Sequence, residues 1–189
     1  MRAETRRTQI LDATERLLID AGNAGLTMRK IAASSGMSLG NLQYHFAKRE
    51  DVLLALLTRF LAPYEERLQS YPRSLPRDAV EVLRPMFEKI ISDPDFDRCA
   101  TIYKEIWAAA SHSTEMQTAL TVYYMRLAKF YCELLSRVAA PETPPEKIKR
   151  AATAMLPLLE GYCITKGSVD LPPDTIAQDW SKMVAALLD

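Results

Sequence analysis

Apolar residues recur along most of this chain at spacings of three and four, the period of a helix that buries one face. Over residues 5–20, Ile10, Ala13, Thr14, Leu17 and Leu18 fall on one side, with Arg6, Arg7 and Arg16 off or beside it. The run Ala21-Gly22-Asn23-Ala24-Gly25 then breaks the helix. Thr27 is placed to cap a short helix through Ser34, with Ile31 and Ala32 turned inward. Gly36 supplies a turn, because glycine accepts backbone angles that a side chain resists. Ser38 can cap a third helix ending at His45, anchored by Leu42 and Phe46. Two short helices joined by a Gly-containing turn form the pattern of a helix-turn-helix.

The pattern continues without a linker. A long helix is predicted over residues 50–69, with Val52, Leu53, Leu56, Leu57, Phe60 and Leu61 on its apolar side, and a loop over 71–76. Further helices are predicted over 78–91, 96–111 and 116–138, the last stopped by Pro141, Pro144 and Pro145. Two more follow, over 146–165, ended by Gly167, and over 175–188. Pro63, Pro85 and Pro157 fall inside helical patterns and are expected to kink or divide them, with a cavity expected first at Pro85. The fold class expected is all-α: a three-helix head, residues 1–49, coupled directly to a helical body, residues 50–189.

Composition agrees with this and narrows the function. Apolar residues make up 48 % of 189 residues, enough for a substantial core. Net charge is zero, yet residues 1–50 hold eight basic and five acidic side chains, and the rest of the chain carries the opposite excess. A basic head suits a polyanionic partner. Cys99, Cys132 and Cys163 lie far apart, and only His45 and His112 are present, so no metal site and no cofactor are expected. No signal peptide and no membrane span are expected, which points to a cytoplasmic protein with reduced thiols. No GxGxxG, Walker, HExxH or GxSxG motif occurs, and Asp93, Asp95 and Asp97 lack the later Gly and Glu of a calcium loop. No catalytic residues are expected, and the chain reads as a non-enzyme.

Residues 5–57 resemble the TetR family of transcriptional regulators. The motifs are Ile10-Leu11-Asp12-Ala13, Gly25, the stretch from Thr27 to Ala32, Gly36-Met37-Ser38-Leu39-Gly40-Asn41-Leu42, Tyr44-His45-Phe46 and Arg49-Glu50. The resemblance implies a ligand-responsive regulator, most often a repressor, that binds a palindromic operator in double-stranded DNA as a homodimer. The third helix would enter the major groove, where Leu39, Gly40, Asn41 and Gln43 face the bases. Thr27, Arg29, Tyr44, His45, Lys48 and Arg49 would clamp phosphates. Gln43 stands where the family usually has an aromatic residue. A glutamine there can bond adenine in a bidentate manner, so it bears on which operator is preferred.

In the body, Met86, Tyr103, Trp107, Tyr124 and Glu160 are the candidate effector-binding residues, since the family carries inducer pockets in this region. Glu105 and Glu160 lie in apolar stretches, and a carboxylate among aromatic rings would suit a cationic amine. The apolar stripes of the last two helices include Met155, Leu159, Tyr162, Ile176, Trp180, Met183 and Leu187. The resemblance implies that these two helices from each chain form a four-helix dimer interface. The alternative left open is a helical protein-interaction module that retains only the shape of a helix-turn-helix.

Overall fold

A computed structural model describes residues 2–70 and 78–189. The expected loop at 71–76 lies outside the described residues. Among the described residues there are nine α-helices: α1 Arg2–Gly25, α2 Met28–Ser34, α3 Leu39–His45, α4 Arg49–Ser70, α5 Ala79–Ile91, α6 Phe96–Ala110, α7 Thr114–Val138, α8 Pro145–Thr165 and α9 Pro173–Ala185. A single 3-10 turn, Lys166–Ser168, follows α8. The backbone divides into two compact units. One comprises Met1–Ala62 with Thr101–Tyr123, the other Pro63–Ala100 with Tyr124–Asp189. The boundary expected at residue 49 therefore falls inside the first unit.

The first unit owes its composition to polar ties that link distant stretches of chain. Arg59 of α4 pairs with Asp12 of α1 at 2.6 Å and also with Glu15, which is itself buried. Glu105 of α6 accepts a hydrogen bond from the backbone N–H of Asn23 at 2.5 Å. That contact explains how α1 ends. The helix runs on past residue 20, but Gly22 leaves helical geometry at φ 64°. A Cβ there would lie 3.1 Å from the Glu105 carboxylate, so both the backbone angle and the close approach call for glycine.

Between these ties lies an apolar core. Ile10, Ala13, Leu18, Ile31, Leu42, Val52, Leu53, Leu56 and Leu57 are all buried, each on the face that its spacing predicts, and Leu26, between α1 and α2, is buried as well. Each large side chain removed from water in this way contributes about 1.5–3 kcal/mol.

The second unit packs α5, α8, α9 and the later part of α7. Leu83, Phe87 and Ile91 of α5 are buried, as are Ile176, Ala177 and Val184 of α9. A run of ring contacts joins Phe87, Trp180, Tyr162 and Phe96, with centroids 5.5–5.6 Å apart. The three interior prolines do not divide their helices. Pro63, Pro85 and Pro157 lie within α4, α5 and α8, and all three are exposed, so the carbonyl each deprives of a donor can turn to water. Pro85 borders an open cleft of about 330 Å³ with Val80, Glu81, Arg84, Glu88 and Gln178, and none of the expected effector residues lines it.

Candidate nucleic-acid interface

The reading head is built from two short capped helices. The Thr27 hydroxyl accepts from Lys30 N at 3.2 Å and starts α2. After α2 the chain turns at Gly36, φ 68°, and Ser38 accepts from Asn41 N at 3.2 Å to start α3. Leu42 and Phe46 plant α3 in the core. The opposite face is left in solvent: Gly40, Asn41, Gln43 and Tyr44 are exposed, Tyr44 by 85 %, while Leu39 and His45 are half-buried. The Tyr44 and His45 rings meet edge to face at 5.4 Å. Thr27 and Arg29, at the start of α2, are exposed as well.

Arg7 of α1 holds the other end of α3. Its guanidinium lies 4.3 Å above the Phe46 ring and donates to the His45 carbonyl at 3.2 Å. A cation at a helix C-terminus meets the negative end of the dipole and one of the carbonyls left without a helical partner. Sequence reading placed Arg7 only beside the apolar stripe. The available signal was its position three residues before Ile10, on the flank of the buried face.

The two basic residues after α3 differ in surroundings. Lys48 is exposed, and its ammonium contacts Glu115 of α7 at 2.7 Å. That hydrogen bond holds the Lys48 pKa above its ordinary value. Arg49 is half-buried and turned inward, with Nε 3.3 Å from Glu50 and a second nitrogen 3.5 Å from the Asn23 carbonyl. Arg49, expected among the phosphate clamps, lies in the joint between α1 and α4 with these two acceptors in its own chain.

The candidate effector residues fall into two groups. In the first unit, Tyr103 stands among Phe60, Trp107 and Tyr123, with ring centroids 5.7–6.2 Å away, and its hydroxyl is 2.5 Å from that of Tyr123. In the second unit, Met86, Tyr124 and Glu160 are half-buried. Burial raises the Glu160 pKa to about 7, against the lowering effect of a hydrogen bond from Tyr124. Its Oε2 atom is buried with no hydrogen-bond partner. Glu105, grouped with Glu160 from sequence as a possible cation site, is instead committed to Asn23.

Of the expected dimer residues, Met155, Tyr162 and Ile176 are buried within the chain itself. They pack in the core of the second unit. Leu159, Trp180 and Leu187 are half-buried, and Met183 is 56 % exposed. Ile164 and Leu171, which the stripes did not include, are exposed too. Among the described residues no helix is long and apolar enough to cross a membrane, and no group of three His, Cys, Asp or Glu is arranged to hold a metal ion.

The family model for bacterial regulatory proteins of the tetR family matches residues 10–56. That for the C-terminal part of BetI-type transcriptional repressors matches residues 79–189, more than half of the chain. An HTH-type transcriptional regulator in the dhlA 5′ region of Xanthobacter autotrophicus is 28 % identical, covering 97 % of this chain and 91 % of its own. A TetR-family transcriptional regulator from Rhodococcus sp. superimposes with a TM-score of 0.73 at 19 % identity, over the whole of both chains. The multidrug binding protein EbrR, complexed with malachite green, does so at 0.69 and 20 % identity, over 97 % of this chain and 98 % of its own. The chain thus belongs to the TetR family of bacterial regulatory proteins, and it is a DNA-binding regulator with a BetI-type C-terminal part.

Proposed function

We propose that the chain acts as a dimeric repressor, reading a palindromic operator with α3 and releasing it when the body binds a small cationic amine. The observation that carries the DNA part is the exposed face of α3, held proud by Leu42 and Phe46 below and Arg7 at its end. Asn41 and Gln43 are the polar groups on that face suited to base edges, and Gln43 is the one suited to adenine. Thr27, Arg29, Tyr44, His45 and Lys48 border it and would hold phosphates without choosing sequence. One short helix reads few bases, so two heads would address half-sites about one turn, ~34 Å, apart. Leu159, Trp180, Met183 and Leu187, with Ile164 and Leu171, offer the apolar surface for pairing.

Glu160 supports the amine. A buried oxygen without a donor costs about 1–3 kcal/mol, and an ammonium N–H would supply both the missing hydrogen bond and the opposite charge. Tyr124 beside it adds an aromatic face. A protein of the same fold, the multidrug binding protein EbrR, is complexed with malachite green. The effector would lower operator affinity by preferring a different spacing of the two heads.

Selection of bound duplexes from a random pool tests the DNA part: palindromic sites should emerge, with affinity falling steeply as salt rises. Association that ignores salt, or no enrichment, would favour an interaction module instead. Titration with alkylamines of graded size tests the effector. Release of the selected duplex by amines but not by matched neutral alcohols is expected, and equal release by both would remove the charge from the argument.

A further inference from the structure

We infer that Glu115, in the first turn of α7, competes with operator phosphate for the Lys48 ammonium, which makes α7 a working part of the DNA-binding apparatus. The inference rests on the DNA-binding reading of the head.

Lys48 follows the last core anchor of the recognition helix, Phe46, by two residues. Its backbone is fixed: the Lys48 N–H donates to Asp51 at 3.1 Å, closing the start of α4 as in a capping box. The ammonium therefore swings from a base tied to α3 and α4, beside the face offered to DNA. It reaches Glu115, 67 positions on, at 2.7 Å.

This pair differs from the contacts of Arg59 and Arg49 in the same unit. Arg59 grips a buried carboxylate and Arg49 is half-buried between two acceptors, so both serve the packing of helices. Lys48 and Glu115 are both exposed. An exposed pair adds little to folding and exchanges readily with solvent or another anion. Glu115 also needs no cation to stay in place, because a carboxylate in the first turn of a helix already meets the positive end of the dipole.

Phosphate is then a direct rival. Binding DNA requires Lys48 to leave Glu115, so the strength of that pair is subtracted from what the phosphate contact yields. Operator affinity is thereby set lower than the bare head would reach. Any displacement of α7 that changes the reach of Glu115 changes how much of the Lys48 charge is available.

The test uses the full chain, a duplex selected by the wild type, and fluorescence anisotropy from about 50 to 300 mM KCl. Four proteins are compared: wild type, Glu115→Gln, Lys48→Ala and the double variant. Glu115→Gln should tighten binding by about two- to fivefold near 100 mM salt, with the gain shrinking as salt rises. In the Lys48→Ala background the same substitution should give little or nothing. Its thermal midpoint should match that of the wild type.

Equal gains in both backgrounds would make Glu115 a general repulsive charge and overturn the inference. Weaker binding by Glu115→Gln would make Glu115 a support that aims Lys48, and a lowered midpoint would make the pair structural. Either result also overturns it. Failure of the wild type to bind any duplex would instead defeat the DNA-binding reading of the head.

Discussion

Glu160→Gln removes one ionisable proton and almost no volume, so its effect on stability can be worked from a single equilibrium. In the folded chain the carboxyl has a pKa of about 7, raised from 4.5 chiefly by burial. A raised pKa means that the folded state binds the proton more tightly than the unfolded state does. The stabilisation from that proton is complete below pH 4.5 and is lost as pH climbs through about 7. A shift of this size corresponds to about 3 kcal/mol between those limits.

Glutamine is neutral throughout and keeps a donor for the site. The variant and the wild type should therefore be equally stable near pH 4.5, and the variant should be about 2–3 kcal/mol more stable at pH 8. Urea unfolding of both proteins at a series of pH values, at one fixed concentration so that dimer formation contributes equally, measures the difference. Other titrating groups cancel in the subtraction. A difference that stays flat from pH 4.5 to 8 would show that Glu160 is ordinarily solvated and would remove its role as an effector anchor. The same equilibrium sets the sign for the ligand. A cation needs the ionised carboxylate, so amine affinity should fall about tenfold from pH 8 to pH 6 in the wild type and stay level in the variant.

The head and the dimer surface carry further tests. Gln43→Ala should relax preference at one or two base positions by about 1–3 kcal/mol, read by competition among duplexes, and equal loss on all sequences would remove Gln43 from the bases. Arg7→Met should leave the α3 surface chemically intact yet speed amide exchange over residues 39–45 and weaken operator binding; unchanged exchange would mean that Arg7 does not secure the helix end. Met183→Asp should yield monomers in sedimentation without loss of helix content, because Met183 lies outside the core, and a surviving dimer would place the interface elsewhere.

The head was legible because its logic is local. Caps three residues from the N–H groups that donate to them, a glycine with positive φ, and anchors four apart are all written within one turn of helix, and Thr27, Gly36, Ser38, Leu42 and Phe46 take the places that spacing assigns them. The later stripes say less, because periodicity tells which face of a helix is apolar and not which body covers it. Met155, Tyr162 and Ile176 have the same spacing as an interface, but their own chain covers them. The single-residue difference between Met183, exposed, and Val184, buried, depends on where the neighbouring helix lies.

Charged residues were the least legible, since their roles depend on partners far along the chain. Arg49 and Lys48 are adjacent and chemically alike, and both looked like phosphate clamps. Arg49 finds Asn23 and Glu50 and turns inward, whereas Lys48 finds an exposed carboxylate. Glu105 and Glu160 looked alike for the same reason. Glu105 meets the Asn23 amide where Gly22 lets the backbone come close, and Glu160 keeps an oxygen with no donor. What separates these four is how their charges are held. Arg49 and Glu105 make part-buried contacts inside the first unit, whereas the Lys48 pair is exposed and Glu160 keeps a buried oxygen without a donor, so Lys48 and Glu160 are the two whose proposed roles another molecule can test.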